Sequence, residues 1–203
     1  MTIEDESENE KKLAEKFPNS TPAERRRFLI ANDDDIEAAE SMLEEFLDWM
    51  KLHDDENEDA KKLADVEDDW EFASQYALSK SEGTGNGKVI PRLIITGAED
   101  GGNLFLDKKG NKTNLILAAT IDTTAADPDT YALTIAIFIK RFSNRDSMEK
   151  YNIALDVRAG EGWANPNAYN CGTIMKTISK LCNRLHPERY VLLFFLYCEN
   201  ISK

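Results

Sequence analysis

The fold of this chain is decided by two apolar runs, Tyr-Asn-Ile-Ala-Leu-Asp-Val-Arg at residues 151–158 and Tyr-Val-Leu-Leu-Phe-Phe-Leu-Tyr at residues 190–197. Between them, a helical pattern extends from Asn167 to Leu185, and His-Pro-Glu-Arg at residues 186–189 ends it. Short apolar runs on either side of an amphipathic stretch are typical of strand, helix and strand. The sequence therefore predicts one βαβ unit at this place.

Upstream of this unit, residues 89–145 also combine apolar runs of strand length with a helical pattern. Val89 to Thr96 and Leu115 to Ile121 are apolar runs of strand length. A helix is predicted to open at Asp127-Pro128-Asp129, because proline is favoured in a first helical turn. The apolar face of that helix carries Tyr131, Ile135, Phe138 and Ile139. The repeated order predicts an α/β fold with a mixed, partly parallel sheet and flanking helices.

The first 80 residues have a helical pattern instead. Thr21 and Glu24 match a capping box, which predicts a short helix from Pro22 to Ala31. Apolar spacings of three and four predict helices from Ile36 to Leu52 and from Asp59 to Leu78. We therefore expect an acidic, flexible N-terminus at 1–20, an N-terminal helical bundle at 21–80, a glycine-rich linker at 81–88 and the α/β domain at 89–203.

Charge divides the chain near the same boundary. Residues 1–72 hold 25 acidic and 9 basic side chains, a net charge of −16, and residues 73–203 hold 13 and 16, a net charge of +3. The acidic part repels polyanions, so we expect no nucleic-acid partner. The N-terminal segment lacks the pattern of a secretory signal, and no apolar run reaches about 18 residues. These features favour a soluble, cytoplasmic protein.

No pattern of catalytic or metal-binding residues stands out in the sequence. The acidic run from Asp54 to Asp59 lacks the glycine and glutamate of a calcium loop. The segment from Ser81 to Lys88 lacks the first glycine and the Ser/Thr of a phosphate-binding loop. Cys171, Cys182 and Cys198 form an odd set without paired spacing. We expect a protein that is not an enzyme and uses neither a metal nor a cofactor.

One charged pair lies where α/β sheets place their ligands. Asp156 and Arg158 are two residues apart at the end of a predicted strand, so both side chains can point to one face. Ligands bind outside the carboxyl ends of strands in such sheets. We interpret the pair as a structural ion pair near the site that holds the 159–166 loop, with direct ligand contact as the alternative.

Four short motifs occur in the order and spacing of one known family. They are Arg27-Phe28-Leu29-Ile30-Ala31 with Leu47-Asp48-Trp49-Met50-Lys51, then Asp107-Lys108-Lys109-Gly110-Asn111, Leu155-Asp156-Val157-Arg158 and Pro187-Glu188-Arg189. Across residues 23–200 they resemble the helical signature, the Asp-x-x-Gly-Arg turn, the Asp-Leu-Arg strand and the Tyr-Pro-Glu-Arg turn of the CRAL-TRIO lipid-binding family, which includes phosphatidylinositol transfer proteins.

The resemblance implies a non-catalytic pocket on the sheet that takes one phospholipid or other hydrophobic ligand from a membrane surface and carries it to another. Binding to membranes would be transient and peripheral. Glu188 matches a glutamate that helps to bind the headgroup in members that bind inositol lipids, whereas Asn32-Asp33 replaces the Arg-Lys of those members. The pocket candidates are Tyr131, Ile135, Phe138, Ile153, Leu155, Leu193 and Phe195.

In the family, a gate helix and a further strand follow the last strand of the sheet. This sequence stops at Lys203, so we expect an incomplete CRAL-TRIO-like domain without that lid. The alternative to lipid binding is a protein-interaction module, in which this domain serves as a scaffold. Phe17, Asn32, Glu37-Ala38-Ala39 and Met42-Leu43 resemble ubiquitin-associated domains, whose helices bind a protein partner.

Overall fold

A computed structural model of the chain describes residues 6–81, 89–97, 104–108, 110, 112–156 and 168–196, with side chains for all of these except 168–171 and 190–196. These residues form a mixed α/β structure. Seven α-helices lie in the described part of the chain: α1 (Glu8–Lys16), α2 (Pro22–Ala31), α3 (Ile36–Leu52), α4 (Glu58–Lys61), α5 (Asp69–Lys80), α6 (Pro128–Phe142) and α7 (Ala168–Leu185).

The described strands make one sheet in the order β1-β2-β3-β4. They are β1 (Ile94–Ile95), β2 (Thr113–Leu117), β3 (Tyr151–Asp156) and β4 (Tyr190–Leu196). β1 pairs antiparallel with β2, whereas β2 with β3 and β3 with β4 are parallel pairs. The mixed, partly parallel sheet and the βαβ unit of β3, α7 and β4 are therefore confirmed.

Two strands are shorter than the sequence predicts. From Val89 to Thr96, only Ile94–Ile95 pair as a strand, and Pro91 in this run has no N–H to give to a ladder. From Leu115 to Ile121, the strand ends at Leu117 and the chain turns into a short 3₁₀ helix, Ala118–Thr120. The Thr120 hydroxyl donates to the carbonyl oxygen of Leu117 at 2.8 Å, which stabilises that turn.

The N-terminal helices follow their capping residues. Helices α2 and α3 have the predicted bounds, and Thr21 with Glu24 forms the predicted capping box. Within residues 1–20, a second capping box at Ser7 opens α1, and Leu13 of that helix is fully buried. Local side-chain hydrogen bonds therefore position these helices.

The single helix expected from Asp59 to Leu78 is instead two helices, α4 and α5. A turn separates them, in which the N–H of Val66 donates to the carbonyl oxygen of Leu63 at 3.0 Å. The Asp68 carboxylate then accepts the N–H of Glu71 at 2.8 Å and caps α5. Asp68 is a strong N-cap residue, and the apolar periodicity concealed this second start.

The buried side chains form two clusters. The first joins the sheet to α5, α6 and α7, with Ile116, Ile135 and Ile178 among its members. The second joins α1, α2 and α3 and includes Ala136 of α6 and Leu185 of α7. Because α6 and α7 contribute to both, the N-terminal helices pack on the helices that flank the sheet.

Two buried arginines hold the loop that leads from α6 to β3. The Arg27 guanidinium donates to the carbonyl oxygens of Ser147 at 2.7 Å and Arg145 at 3.3 Å. The Arg189 guanidinium donates to the same Ser147 oxygen at 2.9 Å and to that of Asn144 at 2.6 Å. Arg145 in turn pairs with the buried Glu24 at 2.7 Å. Helix α2, the loop and the start of β4 are thus connected by charged hydrogen bonds.

Replacing Arg27 with methionine should destabilise the protein by about 2 kcal/mol, because hydrogen bonds to charged groups contribute about 1.5–3 kcal/mol. Urea unfolding followed by circular dichroism measures the change. The matched control is Arg26→Met, an exposed position in the same helix, which should change stability by less than about 0.5 kcal/mol. Equal stabilities for the two variants would contradict this role for Arg27.

Candidate ligand-binding cavity

The sheet presents one apolar face to the flanking helices. In the parallel ladder, Asn114 pairs with Ile153 and Ile116 pairs with Leu155, while Ile94 of β1 pairs with Ile116. Since alternate residues of a strand share a face and directly paired residues lie side by side, these five side chains point to the same side of the sheet.

Helices α6 and α7 supply the facing wall. Met175, Ile178 and Cys182 recur at spacings of three and four, which places them on one side of α7, and Ile135 comes from α6. Between these helices and the sheet lies a cavity of about 390 Å³, lined by all of the side chains just named. Its walls are predominantly aliphatic, which is the usual composition of a small-molecule pocket.

The polar groups of the cavity are few, and they occupy two different positions. Lys176, Ser179 and Asn183 line it and are exposed, so they mark its opening to solvent. The Asn183 amide reaches the Ser179 hydroxyl at 3.5 Å. Asn114 is the buried polar group, with 4% of its surface exposed. The cavity thus has a polar mouth and one amide inside an apolar wall.

The cavity wall holds its one described thiol in the neutral form. Burial raises the pKa of Cys182 to about 12, because an apolar environment disfavours the thiolate. A thiol in this state is a small hydrophobic group, not a nucleophile. The buried thiol therefore contributes apolar contact to the cavity wall.

Three of the predicted pocket residues, Ile135, Ile153 and Leu155, line the cavity. Two others lie elsewhere in the core. The Tyr131 hydroxyl donates to the backbone oxygen of Asp122 at 3.1 Å, and Phe138 packs against Trp70 and Phe142.

The two predicted pocket residues of β4 pair in register with cavity residues. Leu193 pairs with Ile153, and Phe195 with Leu155. Their side chains lie outside the described part of the structure.

The charged residues singled out from the sequence are engaged in the fold or lie outside its described part. Glu188 pairs with Lys150 at 2.6 Å in a turn where its own φ is 59°. Asp156 is buried at the end of β3, and Arg158 lies outside the described residues. His186 is buried against Phe46, with its Nε2 3.3 Å from the carbonyl oxygen of Ala136. Burial lowers the pKa of His186 to about 3.

The sequence-based prediction missed nine of the twelve residues that line the cavity. Met175, Ile178 and Cys182 share a helical face, and that spacing was visible in the sequence. Asn114 and Ile116 were harder to predict from the sequence, because their shared face depends on where β2 begins and on its register with β3. An asparagine in a strand is also an unusual residue for an apolar face.

A larger and more open hollow of about 640 Å³ lies between α1, α3 and α6, with Phe17 and Leu47 in its lining. Charged groups of both signs dominate its lining. Several of them already pair within the protein, as Lys140 does with Asp55 at 2.7 Å. Leu43, a residue of the ubiquitin-associated resemblance, is fully buried in the core. This hollow therefore offers a weaker basis for a specific ligand than the apolar cavity.

Comparison with models of known protein families gives no match, and comparison with curated proteins gives no relative. Among the described helices, none is both long and apolar enough to cross a membrane. The described residues also contain no cluster of three His, Cys, Asp or Glu side chains that could hold a metal ion.

The Cys182 thiol should react about a thousandfold more slowly in the folded chain than in the unfolded chain at about pH 8, because its pKa rises from 9.0 to about 12. The measurement is the rate of reaction with a disulfide reagent, with and without guanidinium, in a variant that carries Cys171→Ser and Cys198→Ser. A folded rate within tenfold of the unfolded rate would show that the thiol is open to solvent.

Proposed function

We propose that this protein binds a single-chain hydrophobic ligand in the cavity between the sheet and helices α6 and α7. The observation that carries the proposal is the cavity itself: aliphatic side chains from two helices and three strands line about 390 Å³ that opens to solvent at a polar mouth. Its apolar walls lose contact with water when a hydrophobic ligand covers them, and this burial favours binding.

The volume limits the size of the ligand. A water molecule takes about 30 Å³ of liquid, and a methylene group is of similar size, so the cavity holds on the order of a dozen methylene groups. This corresponds to one medium-length chain and is less than the two chains of a phospholipid. Within the expected class of hydrophobic ligands, a fatty alcohol, a fatty acid or an isoprenoid fits better than an intact diacyl lipid.

The energetics are sufficient for reversible binding. Burial contributes about 0.8 kcal/mol for each methylene group, or about 10 kcal/mol for a dozen of them. Association costs at least about 4 kcal/mol in lost freedom, which leaves at most about 6 kcal/mol and a Kd of tens of micromolar or weaker. An affinity of this order permits exchange with a membrane. We propose carriage of the ligand between membrane surfaces as its use, in line with the CRAL-TRIO resemblance.

Replacing Met175 with tryptophan should abolish lipid uptake, because the indole ring would occupy part of the cavity. The full chain is incubated with liposomes that contain phosphatidylcholine, fatty alcohol and fatty acid, then re-isolated and examined by mass spectrometry for bound lipid. The unmodified protein should retain one equivalent of a single-chain lipid. The control is Thr173→Trp, an exposed position on the same helix, which should retain the same amount.

Two results would contradict the proposal. One is the repeated absence of lipid from the unmodified protein. The other is equal uptake by Met175→Trp, provided that its circular dichroism spectrum and melting temperature show that it is folded.

A further inference from the structure

One amide in the cavity wall has a side-chain oxygen without a hydrogen-bond partner among the described residues. Asn114 is the second residue of β2, beside the cavity residues Ile116 and Ile153, and only 4% of its surface is exposed. Its side-chain oxygen accepts no hydrogen bond from any of the described residues. An unpaired polar atom in an apolar wall destabilises the fold, so its presence in the structure calls for an explanation.

The neighbouring strand provides a direct comparison. Asn152 of β3 is also buried, but it belongs to the opposite face of the sheet, since its neighbour Ile153 lines the cavity. The Asn152 amide donates to the Asp107 carboxylate at 2.9 Å. The fold therefore satisfies the buried asparagine that faces away from the cavity and leaves unpaired the oxygen of the one that lines it.

We propose that Asn114 binds the hydroxyl group of a long-chain alcohol whose hydrocarbon chain occupies the cavity. This inference rests on the proposed function and names the ligand class. A hydroxyl group donates one hydrogen bond and accepts others. It can therefore donate its proton to the unpaired Asn114 oxygen. The ligand enters with its polar group first, and its chain fills the remaining apolar volume.

A carboxylate is a poor match for this position. It only accepts hydrogen bonds, so it repels the Asn114 oxygen, and a buried charge needs a partner of opposite sign. The one cation among the described lining residues is Lys176, which is exposed at the mouth. A fatty acid would therefore place its headgroup at the mouth and leave Asn114 unpaired. An ether or an alkane lacks the donor altogether.

The test is a binding cycle with two ligands and two proteins, measured by calorimetry on the full chain. The ligands are 1-decanol and its isomer nonyl methyl ether, which have the same number of carbon and oxygen atoms, but only the alcohol carries a hydroxyl proton. The unmodified protein should prefer the alcohol by about tenfold, the usual value of one hydrogen bond to a buried group. Asn114→Leu keeps the size of the side chain and should bind both ligands with affinities within about twofold of each other.

The outcomes separate the two proposals. If the unmodified protein binds both ligands equally, the role of Asn114 is overturned and the proposed hydrophobic site stands. If it binds neither ligand, both proposals fail. If decanoate binds more tightly than decanol and does so equally in Asn114→Leu, the polar group lies at the mouth and the inference is overturned.

A second measurement does not depend on any ligand. Removing an unpaired buried amide should stabilise the empty protein, so Asn114→Leu should raise the melting temperature by a few degrees. A saturating amount of decanol should narrow this difference, because the alcohol supplies the missing partner in the unmodified protein alone. A lower melting temperature for Asn114→Leu would show that the fold itself pairs this amide and would overturn the inference.

Discussion

The carbonyl oxygen of Ser147 accepts hydrogen bonds from two buried guanidinium groups, Arg27 near one end of the chain and Arg189 near the other. Burial lowers the pKa of Arg27 to about 10, and the charge of Arg189 adds to this effect. The two cations remain together because the loop supplies backbone oxygens to both. The N–H of Tyr151 then donates to the carbonyl oxygen of Arg189 at 2.7 Å, which sets the first pairing of β3 with β4. The position of β3, and with it one wall of the cavity, depends on this contact.

Much of the secondary structure could be predicted because its causes are local. The bounds of α2 and α3 follow from the caps at Thr21 and Asp35, which act within a few residues. The apolar periodicity of residues 59–78 predicted one continuous helix. The N-cap at Asp68 starts a new helix within this range, and the prediction missed it. The site was harder to predict because β2 and α7 are far apart in sequence. Tyr131 and Phe138 share the apolar character of the cavity residues, and periodicity alone could not separate them from Ile135.

The cavity combines an aliphatic lining with one buried polar group. Aliphatic side chains provide a non-directional attraction for a hydrocarbon chain, roughly in proportion to the area buried. Asn114 adds one directional group, which a ligand can satisfy only at a defined depth. Small-molecule sites commonly divide these tasks in this way, with apolar walls for affinity and few polar groups for orientation. In the proposed site, the apolar walls select the ligand by the length of its chain, and Asn114 selects it by the polar group at its end.

The central claim is that a single hydrocarbon chain lies between the sheet and helices α6 and α7. Nuclear Overhauser effects between protonated 1-decanol and the methyl groups of an otherwise deuterated full chain measure this position directly. Cross-peaks to Ile116, Ile135 and Ile178 are expected, because these residues line the cavity from β2, α6 and α7. Cross-peaks confined to the exposed Ile30 and Leu52, or none at a saturating ligand concentration, would contradict the account.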